Sequence, residues 1–164
     1  MKILVFGPSG SGKSYLASCL SQPGIPAYDA DRIDGLSAWF SPSGAKFPAP
    51  LSAEEAISKS YSFLWSRKAL NKFLYQHQRV FLFGGSGNVF NMIDLFDKAY
   101  FLKTDRELQL ARIRNAERPM PGMDADENGA IIWGEWLEQA ARERNIPFID
   151  AAQTPQEIYK QINL

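Results

Sequence analysis

Cysteine is almost missing from this sequence: Cys19 stands alone in 164 residues, so neither a disulfide nor a cysteine zinc site is available. Its helical spacing with Leu16 and Leu20 makes it a small core residue rather than a reactive thiol. Histidine is equally scarce. His77, the only one, lies in the polar stretch Tyr75-Gln76-His77-Gln78, so no histidine cluster exists to hold metal and a solvent-facing position is expected. Net charge is absent too, because 18 basic residues balance 18 acidic ones. No global field therefore attracts long nucleic acid or an anionic membrane. No apolar run approaches the ~20 residues of a membrane span, and Met1 to Phe6 is too short for a signal-peptide core. The expectation is a soluble, cytoplasmic chain. At 164 residues and 45% hydrophobic, it is long enough for a full core and short for two ordinary domains, so a single domain over 1–164 is expected.

What is present begins at once. Gly7-Pro8-Ser9-Gly10-Ser11-Gly12-Lys13-Ser14 fits G-x-x-x-x-G-K-[ST] at every fixed position and follows the apolar run Ile3-Leu4-Val5-Phe6. This is a Walker A phosphate loop. Its glycines let backbone N–H groups turn inward around an anion, Lys13 reaches the β and γ phosphates, and the Ser14 hydroxyl can hold Mg²⁺. A helix carrying Leu16, Cys19 and Leu20 follows, with its partially positive N-terminus aimed at the same phosphates. A plain glycine-rich turn has no use for lysine and serine at those two places.

Five short apolar runs read as strands: Lys2 to Phe6, Ile25 to Tyr28, Val80 to Phe83, Ala99 to Leu102 and Pro147 to Ile149. Helical patterns lie between them. The longest, about Ala53 to His77, opens with the capping box Ser52-Ala53-Glu54-Glu55 and carries Ile57, Tyr61, Leu64, Phe73 and Leu74 at helical spacing. Others span about Asn88 to Phe96, Asp105 to Glu117 after a Thr104–Glu107 capping box, and Ala130 to Arg144. The last starts at Thr154 with Pro155 and Glu157 in its first turn. Such alternation predicts right-handed crossovers and a parallel sheet covered by helices on both faces, a three-layer α/β/α fold. Two stretches break the pattern. Leu36 to Leu51 is rich in Pro, Ser and Gly with Trp39, Phe40 and Phe47, and Pro119 to Gly129 is the other; both read as long loops, the first around an acceptor and the second, with Arg118, a lid over 118–129. Trp39 and Phe40 either close over an acceptor or form a satellite core. Trp65, Trp133 and Trp136 read as packing residues in helical stripes.

In an open parallel sheet, ligands sit beyond the carboxyl ends of the strands. The residues there are Asp29 and Asp31, Gly84-Gly85-Ser86, Thr104, and Asp150 to Gln153. Magnesium on a triphosphate needs a carboxylate, directly or through water. Since Val80 to Phe83 ends in Gly84 rather than Asp, the carboxylate must come from elsewhere, and Asp29 or Asp31 is better placed than Asp94 or Asp97, which precede their strand and lie at the wrong edge. A pair one residue apart can divide two tasks, Asp29 near Mg²⁺ and Asp31 taking a proton from an attacking hydroxyl. The plain alternative is that both only cap the turn that follows.

Arginine forms the second constellation, at Arg106, Arg112, Arg114 and Arg118. Arg114 and Arg118 share a helical face. Arg118, at the edge of the lid, is the candidate for a phosphate contact, and Arg114 could stack on the base through its planar guanidinium. Arg112 points elsewhere on the helix and reads as solvated. An exposed helix with Glu107 and Glu117 as ion-pair partners is the competing account.

These residues together resemble the small-molecule kinases of the phosphate-loop class, which include shikimate, gluconate, nucleoside and nucleotide kinases and share an adenylate-kinase-like fold. The chain is particularly similar to shikimate kinases in Asp29-Ala30-Asp31, in Gly84-Gly85, and in Arg118-Pro119-Met120 at the lid, although Ser86 replaces a third glycine and only Arg67 offers itself as an acceptor-binding arginine. The resemblance implies a five-stranded sheet of order 2-3-1-4-5, ATP with Mg²⁺ on the phosphate loop, the acceptor near Asp31, Gly84 and Gly85, and adenine beside Ala152 after Asp150. The function expected is ATP-dependent phosphoryl transfer to a small acceptor. Two alternatives remain open from the residues: a nucleotide-binding regulatory protein without turnover, and a 5′-hydroxyl polynucleotide kinase, against which the balanced charge argues.

Overall fold

From Ile3 on, every residue of the first strand is fully buried. A strand buried on both faces must lie in the middle of a sheet between two layers. The computed structural model describes residues 1–48, 53–115 and 127–164. In chain order the strands are β1 (Lys2–Phe6), β2 (Ala27–Asp29), β3 (Ser37–Phe40), β4 (Lys46–Phe47), β5 (Ser62–Trp65), β6 (Val80–Gly84), β7 (Lys98–Lys103) and β8 (Phe148–Asp150). The helices are α1 (Lys13–Ser21), α2 (Ala53–Ser58), α3 (Arg67–Tyr75), α4 (Arg106–Arg114), α5 (Glu127–Glu143) and α6 (Pro155–Ile162), with 3-10 turns at Ala30–Arg32 and Val89–Leu95.

The main sheet has the order β2-β6-β1-β7-β8 and its pairs are all parallel. Renumbered along the five runs read as sheet strands, this is the expected 2-3-1-4-5. Successive side chains of a strand point to opposite faces, and β1 feeds two cores accordingly. Leu4 and Phe6 join Leu82, Phe101, Leu70 and Leu137 on one face, while Ile3 and Val5 join Phe81, Leu102, Leu20 and Ile158 on the other. Edge-on contacts of Phe6 with Phe90 and Phe101, at 5.4 and 5.6 Å between centroids, lock the first of these. Thr154 and Glu157 form the expected reciprocal cap of α6, but α4 is capped by Asp105, which accepts from Leu108 N at 2.8 Å, and not by Thr104.

The expected long helix from Ala53 to His77 is three elements. α2 ends after Ser58 in a left-handed turn at Ser60, φ 54°, where Tyr61 N donates to Ala56 O at 2.8 Å and Ser60 N to Ile57 O at 3.1 Å. Those two bonds close a Schellman cap, which stops a helix and redirects the chain. After Tyr61, Ser62-Phe63-Leu64-Trp65 places aromatic residues at alternate positions and runs as β5 against β3. Ser66 then caps α3 by accepting from Ala69 N. Leu36 to Leu51 is likewise no simple loop, since its described part supplies β3 and β4 of a three-stranded antiparallel sheet, order β4-β3-β5. Ser52, which opens the expected capping box, lies outside the described residues. Among the described residues no helix is long and apolar enough to cross a membrane.

Candidate active site

The register brings the signature residues to one edge. Asp29 of β2 pairs with Phe83, Phe6 of β1 pairs with Gly84 and with Phe101, and Lys103 of β7 pairs with Asp150. Gly7, Gly84-Gly85, Thr104 and Ala151 therefore leave the sheet side by side at its carboxyl edge, where an open α/β sheet binds ligands.

Three glycines let the phosphate loop fold there. A Cβ on Gly7 would come within 2.7 Å of Leu102 O; Gly10 and Gly12 have φ of +81° and +95°, the second ending the loop as the N-cap of α1 without a side-chain cap. For amides to face a common anion, the intervening carbonyls must point away and find donors. They do. Pro8 O accepts from Lys13 Nζ at 2.6 Å and from Ser11 N at 3.2 Å, Ser9 O from Gln109 Nε2 at 2.9 Å, and Ser11 O from Arg112 Nη1 at 2.8 Å. The Lys13 ammonium lies over the loop and also reaches Ser11 Oγ at 3.3 Å. Ser14 follows in the first turn of α1, half-buried.

Arg112 is thus not the solvated residue its helical position suggested. Its second nitrogen donates to Ala151 O at 2.9 Å, so one guanidinium ties the phosphate loop to the loop after β8. Gln109, nearly fully buried, adds a bond to Ala130 O at 3.3 Å. By sequence Arg112 reads as solvated, and Gln109 is not singled out. The available signal was their i,i+3 spacing, which puts two long hydrogen-bonding side chains on the same face of α4. From α5, Gly134 lies against Pro8, where a Cβ would be 2.9 Å from the ring, and Trp133 covers Gly85. Arg114 sits in a two-point ion pair with Glu127, at 2.6 and 3.0 Å, which holds its pKa above and that of Glu127 below the ordinary values. Arg118, Pro119, Met120 and Glu117 lie outside the described residues, as does the expected lid from 118 to 126; the remaining lid positions 127–129 open α5.

On the opposite side, Asp29 has a largely buried carboxylate that accepts from Asp31 N at 3.1 Å and caps the 3-10 turn, as the plain reading of the pair required. Asp31 stands exposed one residue beyond Ala30. Gly84 is glycine for a packing reason, because a Cβ there would fall 2.3 Å from Ala30 Cβ and 2.8 Å from the Trp65 ring. Ser86, fully buried, donates to Asn88 Oδ1 at 2.9 Å, and Asn88 bonds both N and O of Trp65. These bonds fasten the small sheet to the turn after β6. Arg67 is engaged elsewhere, by the carboxylate of Asp94 and by Asn91 O.

Three solved structures share this fold over nearly the full chain. A deoxyadenosine kinase from M. mycoides, with bound dATP, is 14% identical, covers 100% of both chains and superposes with a TM-score of 0.59. A shikimate kinase from Acinetobacter baumannii, in complex with shikimate, is 18% identical over 99% of this chain and 92% of that one, TM-score 0.57. A gluconokinase from Sinorhizobium meliloti is 19% identical over 98% and 88%, TM-score 0.55. This chain has the fold of the phosphate-loop small-molecule kinases. At these identities the likeness is one of fold, and the kinase fold alone names no substrate. No family model matches the chain, and no curated protein matches it in sequence.

The residues at the edge of this kinase fold suit a nucleotide with a divalent cation. Among the described residues no group of three or more His, Cys, Asp or Glu is placed to hold a metal ion. Mg²⁺ carried on a nucleotide needs fewer protein ligands, since phosphate and water oxygens fill most of its octahedron. Ser14 at the start of α1 and Asp29 or Asp31 at the same sheet edge are the residues that could supply them.

Proposed function

We propose that the protein is a kinase that transfers the γ-phosphoryl group of ATP to a small acceptor held between the Asp29–Asp31 segment and the small sheet. The observation that carries this reading is the orientation of the phosphate loop. Its carbonyls at Ser9 and Ser11 are turned out to Gln109 and Arg112, and the Lys13 ammonium is held over the loop on Pro8 O, which suits a loop whose remaining amides face a polyphosphate.

In this reading the loop from Gly7 to Gly12 and Lys13 cradle the β and γ phosphates, while Arg114 and Ala152 border the base. Ser14 and Asp29 would hold Mg²⁺, which would neutralise charge on the phosphate oxygens. Asp31 accepts the proton of the acceptor hydroxyl as its oxygen bonds to the γ-phosphorus. The bond from that phosphorus to the β–γ bridging oxygen breaks, and ADP leaves with the electron pair. Arg118 stabilises charge on the moving group, and Gly84 and Gly85 border the acceptor.

ADP release measured with Mg·ATP and a panel of nucleosides, nucleotides, shikimate and gluconate tests the assignment. Asp31→Asn is expected to lower turnover by about 10²- to 10⁴-fold, the range of general-base catalysis, with ATP affinity kept. Well-folded protein that binds ATP but releases no ADP with any of these acceptors would overturn transfer.

A further inference from the structure

One face of the β3–β4–β5 sheet sets aromatic rings beside unmatched polar groups. In the register Ser37↔Trp65, Trp39↔Phe63 and Trp39↔Phe47, the side chains of all five residues stand on the same side, since alternate positions share a face. Trp39 and Phe63 approach to 5.4 Å between centroids, and both rings are half-buried. Next to them the polar groups are unmatched. Trp65 Nε1 and Ser37 Oγ are shielded from solvent and have no hydrogen-bond partner among the described residues.

The two unmatched groups are neighbours. Ser66 N donates to Leu36 O at 2.7 Å, which makes Ser37 and Trp65 a non-hydrogen-bonded cross-strand pair, the closer kind in an antiparallel ladder. The backbone of Trp65 is fully used by Asn88, so only its indole N–H is left over. Buried polar groups are almost always paired, so two that have no partner among the described residues mark a place where a ligand's polar atoms would be favoured. The Trp65 ring covers Gly84 at the candidate acceptor edge, so this pair is continuous with the site. Arg67, which follows β5 after Ser66, is occupied by Asp94 and Asn91 O.

We infer that this face reads the phosphate acceptor and selects an uncharged, ring-bearing one of nucleoside type, its ring against Trp39 and Phe63 and one of its hydrogen-bond acceptors on Trp65 Nε1 beside Ser37 Oγ. The inference rests on the same edge being an acceptor site. An indole N–H and a hydroxyl suit a neutral oxygen or ring nitrogen.

Calorimetry on the intact chain, with Mg²⁺ and a non-hydrolysable ATP analogue present, decides it. The probes are the four common deoxynucleosides, a deoxynucleoside analogue whose base is an all-carbon ring system of similar shape, and shikimate. At least one deoxynucleoside should bind, its all-carbon analogue about tenfold or more weakly because the buried N–H is then left unpaired, and shikimate weaker still. Trp65→Phe should remove the difference between nucleoside and analogue while leaving the affinity for the ATP analogue unchanged. Ser37→Ala should weaken the nucleoside by a smaller factor and serves as the second variant should Trp65→Phe not fold. Tighter shikimate binding, no binding by any nucleoside, or no penalty for the all-carbon ring would overturn the inference. Nucleoside binding without ADP release would sink phosphoryl transfer and leave this inference standing, while ADP release with shikimate alone would do the reverse.

Discussion

The two sides of the sheet edge are finished to different degrees. On the side proposed for the nucleotide, the carbonyls of Pro8, Ser9 and Ser11 each meet a side-chain donor, and Arg112 bonds two loops at once. On the acceptor side, Trp65 and Ser37 keep polar atoms without partners among the described residues, beside aromatic rings that are only half covered. A nest built in advance suits a ligand whose triphosphate is the same in every turnover, because electrostatic groups already in place need no reorganisation. A wall with unused hydrogen-bonding groups suits the ligand that must be discriminated, since a buried group left unpaired by the wrong molecule carries the penalty.

The comparison breaks first at Lys13. If the nucleotide side works as described, Lys13→Ala should lower ADP release by about 10²- to 10³-fold, the usual loss when one charge-stabilising donor is removed, with far-UV circular dichroism unchanged. A smaller loss would mean that the ammonium on Pro8 O supports the loop and does not serve the phosphates. Next comes Gly84→Ala, which tests whether the two sides are packed together. Its Cβ would meet Ala30 and Trp65 at 2.3 and 2.8 Å, so stability to urea should fall by about 1–3 kcal/mol, the cost of overpacking. The same change at Gly24, where nothing lies within 4 Å, is limited to the backbone strain of φ +84°.

Much of the nucleotide side was legible in the letters because its chemistry is local. The loop glycines, Lys13 and Ser14 are contiguous, and the strand runs on either side obey simple periodicity, so sheet order and loop position both agree with expectation. The acceptor side was misread for a physical reason. Ile57, Tyr61 and Leu64 fit a helix at spacings of four and three, yet Tyr61, Phe63 and Trp65 fit a strand at a spacing of two, and periodicity cannot choose when both hold. The cap at Ser60 chose, and serine is an uncommon residue for a left-handed turn. Arg112 was missed because its acceptors, Ser11 O and Ala151 O, are 101 and 39 residues away in sequence. Main-chain carbonyls carry no letter of their own.

Arg112→Lys sharpens the contrast more gently. Lysine keeps the charge but cannot bond two carbonyls in fixed directions as a planar guanidinium does. The KM for ATP should rise about tenfold, equivalent to one charged hydrogen bond of roughly 1.4 kcal/mol, while the KM for the acceptor and the melting temperature change little. An equal rise in both constants would mean that the tether supports the whole edge and not the nucleotide half of it.

The smallest effect concerns acid. The nucleotide side is fastened partly by charge, for Glu138 of α5 bonds Lys103 at the end of β7 and Arg142 one turn along. Burial alone would raise the pKa of Glu138, but these two cations outweigh it and hold the carboxyl below the ordinary glutamate value. A depressed folded pKa means that the unfolded chain binds the proton first. The stabilisation is therefore complete above the ordinary glutamate pKa of about 4.3 and is lost as pH falls through the lower folded value. Glu138→Gln should leave stability less dependent on pH below about 4.3, with a loss at neutral pH of no more than about 1 kcal/mol, as befits a partly exposed pair. Hydrogen exchange followed down the same pH range should show protection fading in α5 before it fades in β3 and β5, where the fastening is aromatic packing and the uncharged bonds of Asn88. If both regions lose protection together, the difference in how the two halves are held does not extend to their local stability.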